Sequence, residues 1–418
     1  MERQTALQIL DALIKIPTVN GCEGAVAVYL RDLLDRYQIS SHLIPLPGND
    51  NRVNLIAEIG PQQGPILGFT GHQDTVAVST PQLWTYGPFW PEHRTGRIYG
   101  RGAADMKSGL VAMVVALIAL KQDPHFQGRV RLLATVGEEL GELGAHQLTQ
   151  LGYARDLSAL VVGEPSTASS SLVLQRLGGS GLVTLPTTAP ERYGRHLIFR
   201  GHKGSLDYSV TATGKAVHSA LPGSGVNAID NLLTFYQAQQ TYFSSLESVE
   251  NDLLGATKAA VTVIRGGEQP NTIPEQAQLH VKVRTIPEYP NQRIEADLTK
   301  LVNDLNDADP RLALSLTILT SQPAVITSAS APLVQAATTA FQKIWHESAL
   351  ILGAPGGTDA SQFIQDNPNL PMIIAGPGNE SAHQIDEYVN QVDFWDYCEL
   401  YQLLAKIYFC EIPLTDGV

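Results

Sequence analysis

The sequence predicts an α/β layered domain with a mainly parallel central sheet, into which a separate βαββαβ unit is inserted. Three observations carry this expectation. Helical and strand-like patterns alternate over the first 165 residues, the rhythm changes near residue 203, and the earlier style returns after residue 331. A length of 418 residues, too long for one ordinary core, agrees with two domains.

Residues 5–14 and 23–34 place apolar side chains at helical spacing. Short apolar runs follow at 53–59, 66–70, 130–136 and 160–162, each of strand length. Residues 109–121 are apolar nearly all round, as a buried helix requires. In the insertion, 205–213 alternates as a strand, 226–246 reads as a helix, and 259–265 and 276–284 read as strands. A helix over 291–306 and a strand over 312–319 complete the ferredoxin-like split pattern. The run 371–375 then returns to the first domain's style. The larger domain is expected over 1–203 and 322–418, and the inserted one over 204–321. Residues 166–202 are rich in Ser, Thr, Gly and Pro with weak periodicity, and read as a flap or excursion.

Bulk properties exclude several classes. Acidic side chains number 41 against 28 basic ones, a balance of −13 that lacks the positive footprint of a nucleic-acid binder. The N-terminal residues lack a signal-peptide pattern, and the longest uncharged apolar stretch, 109–120, is too short to cross a bilayer. Cys22, Cys398 and Cys410 form no CxxC pair, so reduced thiols and a cytoplasmic setting are expected. Any metal would be held by His, Asp and Glu.

Open α/β sheets build their sites beyond the carboxyl ends of their strands. The run 66–71 is followed by His72-Gln-Asp74, 130–137 by Glu138-Glu139, 160–163 by Glu164, and 371–378 shortly by His383. Asp105 precedes the buried helix in Gly100-Arg-Gly-Ala-Ala-Asp105. A lone histidine after a strand is usually a satisfied core or surface residue, and a Glu-Glu pair is usually a solvated turn. Their convergence at one sheet edge changes that balance, because crowded carboxylates repel unless cations neutralise them. Imidazole with carboxylate suits zinc, with Co(II) or Mn(II) as substitutes. Two ions about 3.5–4 Å apart would need one shared carboxylate. Asp74 could accept the second ring N–H of His72, while one of Glu138 and Glu139 binds metal and the other faces water.

These motifs, in this order, resemble the acetylornithine deacetylase and succinyl-diaminopimelate desuccinylase family of two-zinc metallopeptidases. The resemblance implies a zinc-peptidase-like catalytic domain with two Zn(II) per chain, and covers nearly the whole chain. It implies that Asp105 bridges the metals, that His72 and Glu164 complete one site, and that Glu139 and His383 complete the other. Asp74 would orient His72, and Glu138 would move the proton. Gly214-Lys-Ala-Val-His218 is similar to the family's lid and dimerisation domain, which implies a homodimer and an oxyanion-stabilising role for His218. Asn271 lies on a turn similar to the substrate-facing one, Arg284 matches a carboxylate-gripping arginine, and Thr358 falls in a substrate-side loop. The family's usual proline is Ala77 here, and its link after Glu164 is commonly shorter. The extra stretch carries Arg176, Arg192, Arg195 and Arg200, as a solvated loop or a flap adding positive charge.

The substrate expected is a small N-acylated amino acid or short peptide. N-succinyl-diaminopimelate is favoured, with N-acetylornithine, another N-acyl amino acid or a dipeptide as alternatives. From another class, a non-catalytic binding relative would usually have lost Glu138 or Glu139, and both are present. No G-x-G-x-x-G opens a helix after an early strand, and no G-x-S-x-G elbow is present, which argues against a dinucleotide enzyme and a serine hydrolase.

Overall fold

A computed structural model describes residues 1–170 and 193–411. The chain forms two compact units: Met1–Gly201 with Ile326–Gly353 and Thr358–Val418, and His202–Val325 with Ala354–Gly357.

In the first unit the sheet runs Ser41–Leu46, Asn49–Ile59, Arg129–Thr135, Ile66–His72, Leu157–Val162, Met372–Ile374, Tyr193–His202. The four strands from Arg129–Thr135 to Met372–Ile374 are parallel, and the flanking pairs are antiparallel. The expected mixed α/β architecture is therefore present. Parallel strands covered on both faces read as continuous apolar runs, and every residue of Ile66–His72 is buried. Helix Lys107–Gln122 is buried on all sides except at Ala119, Lys121 and Gln122. It packs against helices Arg3–Ile14 and Gln391–Glu411, which explains its lack of a polar face. Each fully buried Leu, Val or Ile of that core contributes about 1.5–3 kcal/mol relative to exposure.

The reading of 166–202 as an excursion needs correction at both ends. Tyr193–His202 is a strand of the sheet, with Leu197, Ile198 and Phe199 buried. Ser166, Thr167 and Ala168 are buried too, their N–H groups donating to Gly376, Gly378 and Arg195 carbonyls. The Ser/Thr/Gly/Pro average over the whole segment hid a three-residue apolar run. Arg195 pairs with the buried Asp393, and Arg200 Nη1 donates to the Thr327 carbonyl at 2.7 Å, so these two arginines have structural partners. Arg176 and Arg192 lie outside the described residues.

A small antiparallel sheet, Tyr388–Asn390 with Arg97–Tyr99 and Glu92–Arg94, has no counterpart in the sequence reading. It joins the segment leading to Asp105 to the segment following His383.

The second unit is an antiparallel sheet in the order Lys258–Gly266, Gln276–Thr285, Gly204–Thr213, Leu314–Gln322. Helices Ala228–Ser245 and Asn291–Ala308 supply Leu232, Phe235, Ile294 and Leu298 to its own apolar core. The chain order is βαββαβ. Asn227 caps the first helix, its side chain accepting the Ile229 N–H at 3.0 Å. Among the described residues, no helix is long and apolar enough to cross a membrane.

Candidate active site

Residues just beyond the parallel strand ends converge. His72 closes Ile66–His72, and Glu138 and Glu139 open the tight turn after Arg129–Thr135. Glu164 follows Leu157–Val162, and His383 lies on the loop after Met372–Ile374. Asp105 comes from the loop between Arg97–Tyr99 and helix Lys107–Gln122. That loop turns at Gly102, where φ is +87° and a Cβ would sit 2.9 Å from Thr75 Cγ2.

Asp105 is central. Its Oδ1 stands 3.0 Å from His72 Nε2 and its Oδ2 stands 3.1 Å from His383 Nε2. Around this carboxylate, Glu164 Oε1 lies 3.4 Å from His72 Nε2, and Glu139 Oε1 lies 3.0 Å from His383 Nε2. Two further groupings, His72 with Asp105 and Glu139, and His72 with Glu138 and Glu164, keep their donor atoms within 4.8 Å of one another. Glu138 thus sits among the donors, and distance alone does not separate a base from a ligand there.

The tautomer of His72 tests the site's chemistry. Its Nδ1 lies 3.0 Å from the Asp74 carbonyl, which only accepts, so Nδ1 carries the proton. In the neutral ring Nε2 would turn a lone pair towards two carboxylates, an arrangement that is repulsive unless a proton or a metal cation lies among them. Ligand atoms bonded to zinc at ~2.0–2.2 Å in a tetrahedron stand roughly 3.3 Å apart. The observed spacings of 3.0–3.4 Å fit that geometry. The residues present therefore suit metal.

Electrostatics agrees. Burial, then the neighbouring Glu164 carboxylate, pushes the Glu138 carboxyl well above the usual range. Burial and Asp105 do the same to Glu164. Hydrogen bonds to Asp105 and Glu139 raise His383 to about 10. His72 is raised well above its ordinary value although burial opposes it, because Glu164 and Asp105 outweigh that cost. Without metal, the site draws protons into the places where cations would bind.

Asp74 departs from expectation. Its carboxylate is 3.6 Å from His72 Nδ1, and the ring bond goes to its backbone carbonyl instead. Its two oxygens accept the N–H groups of Glu138 and Glu139, each at 3.3 Å. The strand ends at His72, so the extended geometry that would have aligned the two side chains stops there.

Thr358 is buried, and its hydroxyl accepts the Ala360 N–H at 3.3 Å, which makes it a turn-former. Its neighbour Asp359, which sequence reasoning passed over, is buried beside the site. Thr135 Oγ1 donates to it at 2.5 Å, and burial raises it to about 6. Glu387 and Arg101, also passed over, form a buried pair under the Asp105 loop at 2.6 Å. Arg101 had one sequence signal, a charge inside the Gly-rich run Gly100-Arg-Gly-Ala-Ala, whereas Glu387 stands beside Asp386 and near His383 with nothing to single it out.

His218, Asn271 and Arg284 belong to the second unit. His218 is exposed on the two-residue strand Val217–His218, opposite Thr272. The Ala220 N–H donates to its Nδ1 at 3.1 Å, which leaves the proton on Nε2. The Ser219 N–H donates to the Asn271 carbonyl at 2.8 Å, so these residues adjoin. Arg284 is half-buried on Gln276–Thr285, opposite Lys258 and Ser205.

An α/β unit that gathers imidazole and carboxylate donors beyond its parallel strands around one shared aspartate defines a metal-dependent hydrolase. The chain belongs to the M20 peptidases: residues 68–407 match Peptidase family M20/M25/M40. It is 35% identical to a probable succinyl-diaminopimelate desuccinylase of Staphylococcus aureus (strain MSSA476), over 97% of this chain and 98% of that protein. The fold is also that of an M20 metallo-carboxypeptidase from Sulfolobus solfataricus, with TM-score 0.79 at 17% identity over 98% and 99% of the two chains. A dinuclear metal-binding M20 peptidase from Bacillus subtilis is similar at TM-score 0.68 and 16% identity, over 98% and 99%.

Proposed function

We propose that this hydrolase cleaves the amide bond of an N-acyl amino acid, in the manner of a succinyl-diaminopimelate desuccinylase, with two Zn(II) per chain. The observation that carries the two-metal reading is Asp105, which offers one carboxylate oxygen to each histidine. His72 and Glu164 would hold one ion and Glu139 and His383 the other, with Asp105 shared. Zinc in such a site supplies Lewis acidity towards a carbonyl and acidifies water. Succinyl as the acyl group is supported by the names of the relatives at 35% identity over nearly full length.

The chain's own groups do the rest. Glu138, as general base, takes a proton from the attacking water and returns it to the departing amine nitrogen. Burial, the first cause of its raised pKa, strengthens it as the acceptor of the water proton. The Asp74 carboxylate fixes the backbone that carries Glu138, and the Asp74 carbonyl fixes the His72 tautomer. On the second unit, the Nε2–H of His218 is a donor suited to a developing oxyanion, and Arg284 is suited to a substrate carboxylate. Asn271 and Thr358 are assigned to the substrate side on family resemblance alone.

We further propose a homodimer through the second unit, supported by the exposed Val263 and Ile264 of its outer strand Lys258–Gly266. The free thiols of Cys22, Cys398 and Cys410 support a reducing, cytoplasmic setting. The deciding experiment measures amine release by zinc-loaded protein from N-succinyl-diaminopimelate, N-acetylornithine, N-acetylmethionine and a dipeptide, with chelator controls. Chelator-sensitive release from the succinyl substrate far above the others is expected. A dipeptide preference would instead assign a peptidase, and silence on all four with metal bound would reject this substrate class.

A further inference from the structure

We infer that Glu387, which is no part of the donor set, is the positioning residue that holds the Asp105 carboxylate where both donor sets share it. The inference rests on reading Asp105 as a shared metal ligand, and it assigns the cause of that placement. Glu387 is fully buried and lies 282 residues from Asp105 in sequence. Its Oε1 accepts the N–H groups of Gly102 at 3.0 Å, Ala104 at 2.8 Å and Asp105 at 2.9 Å. Its backbone carbonyl accepts the Gly100 N–H at 2.9 Å. Most of the loop's amides therefore end on one residue.

Three N–H donors converging on a single oxygen form a concave anion site, and only a carboxylate satisfies it while also facing a guanidinium. Glu387 Oε2 takes that guanidinium, receiving Arg101 Nη1 at 2.6 Å. Arg101 is 1% exposed, lies 5.0 Å over the Trp84 ring, and points Nη2 at the His383 carbonyl at 3.5 Å. One buried carboxylate thus ties the Asp105 loop to the segment bearing His383. A counter-ion for Arg101 alone would not require the loop amides to turn inward. Placement of a ligand by such outer contacts typically changes metal affinity by about 10–100-fold.

The test uses the full-length chain with Co(II) as the probe, comparing wild type, E387A and E387Q. In the wild type, two Co(II) ions per chain are expected by competition with a chromophoric chelator. In folded E387A, the weaker ion should lose at least about tenfold in affinity, with altered Co(II) absorption bands. E387Q keeps an acceptor oxygen for the amides and should lose less. Wild-type affinity and spectrum in both variants, with only a lower melting temperature, would overturn the inference and leave Glu387 a stabilising residue. If neither variant folds, amide exchange in wild type without metal decides. Protection at Gly102, Ala104 and Asp105 supports a loop organised by Glu387, and exchange at open-loop rates refutes it. A folded wild type that takes up no Co(II) would refute the metal reading itself, whatever the amides show.

Discussion

The carboxylate of Asp74 accepts the backbone N–H of Glu138 at 3.3 Å, so an aspartate after one strand fixes the proposed base after its neighbour. Its other oxygen does the same for Glu139 at 3.3 Å. Since the His72 ring bonds to the Asp74 carbonyl, side-chain substitution at Asp74 leaves that bond in place.

Asp74→Ala should therefore retain metal and lose turnover. Two hydrogen bonds to a charged acceptor are removed, each contributing about 1.5–3 kcal/mol. Loosening of the Glu138 turn by part of that sum corresponds to a fall in kcat of roughly 10–100-fold. Metal analysis beside steady-state kinetics separates the outcomes. Loss of metal in D74A would mean that the carboxylate, not the carbonyl, orients His72.

Glu138→Ala should keep both metals and lose most turnover, whereas Asp105→Ala should lose metal. The pH profile adds a signed expectation. A general base works deprotonated, and burial with Glu164 raises Glu138. Activity should then fall on acidification at a pH above the ordinary glutamate value of about 4.3. Bound cations oppose the rise, so the limb should move to lower pH as metal occupancy increases. Full activity in E138A, or an acid limb at the ordinary glutamate value at every metal occupancy, would remove Glu138 from the proton-transfer role.

The outer strand Lys258–Gly266 exposes Ile264 at 56% and Val263 at 37%. A lysine at an exposed strand edge blocks strand-to-strand association at little cost to the fold. Ile264→Lys is expected to convert a dimer into a monomer, by sedimentation velocity, with the melting temperature shifted by only a few degrees. A wild type that sediments as a monomer at micromolar concentration would dismiss the dimer.

Much of this was legible in sequence, for identifiable reasons. The central strands announced themselves because burial on both faces makes them unbroken apolar runs, as in Ile66–His72. His72, Glu138, Glu139 and Glu164 stood out as candidates because a parallel sheet delivers its chemistry at the next few residues. Asp105 and His383 needed motif spacing as well, since loops carry them. Glu387 and Asp359 stayed hidden because their importance lies in long-range contacts. Glu387 meets amides 282 to 285 residues away, and Asp359 meets Thr135. Tyr193–His202 was missed because its short apolar centre is flanked by His196, Arg195 and Arg200, whose partners Asp393 and Thr327 lie far along the chain.

His202 yields a stability prediction independent of the metal site. The ring is fully buried, with Nδ1 at 2.9 Å from the Lys203 carbonyl and Nε2 without a partner among the described residues. Burial, with Arg284 adding repulsion, lowers its pKa to about 4. The unfolded chain, at about 6.5, therefore binds more protons than the folded one between those two values. Stability should be full above about pH 6.5 and decline as pH falls towards 4, by roughly 2–3 kcal/mol from this group. His202→Gln removes the titration, so the drop in denaturation midpoint between pH 7 and pH 5 should be smaller in the variant than in the wild type. Equal drops would mean that the ring protonates within the fold at its ordinary pH, and that the buried Nε2 finds a partner when it does.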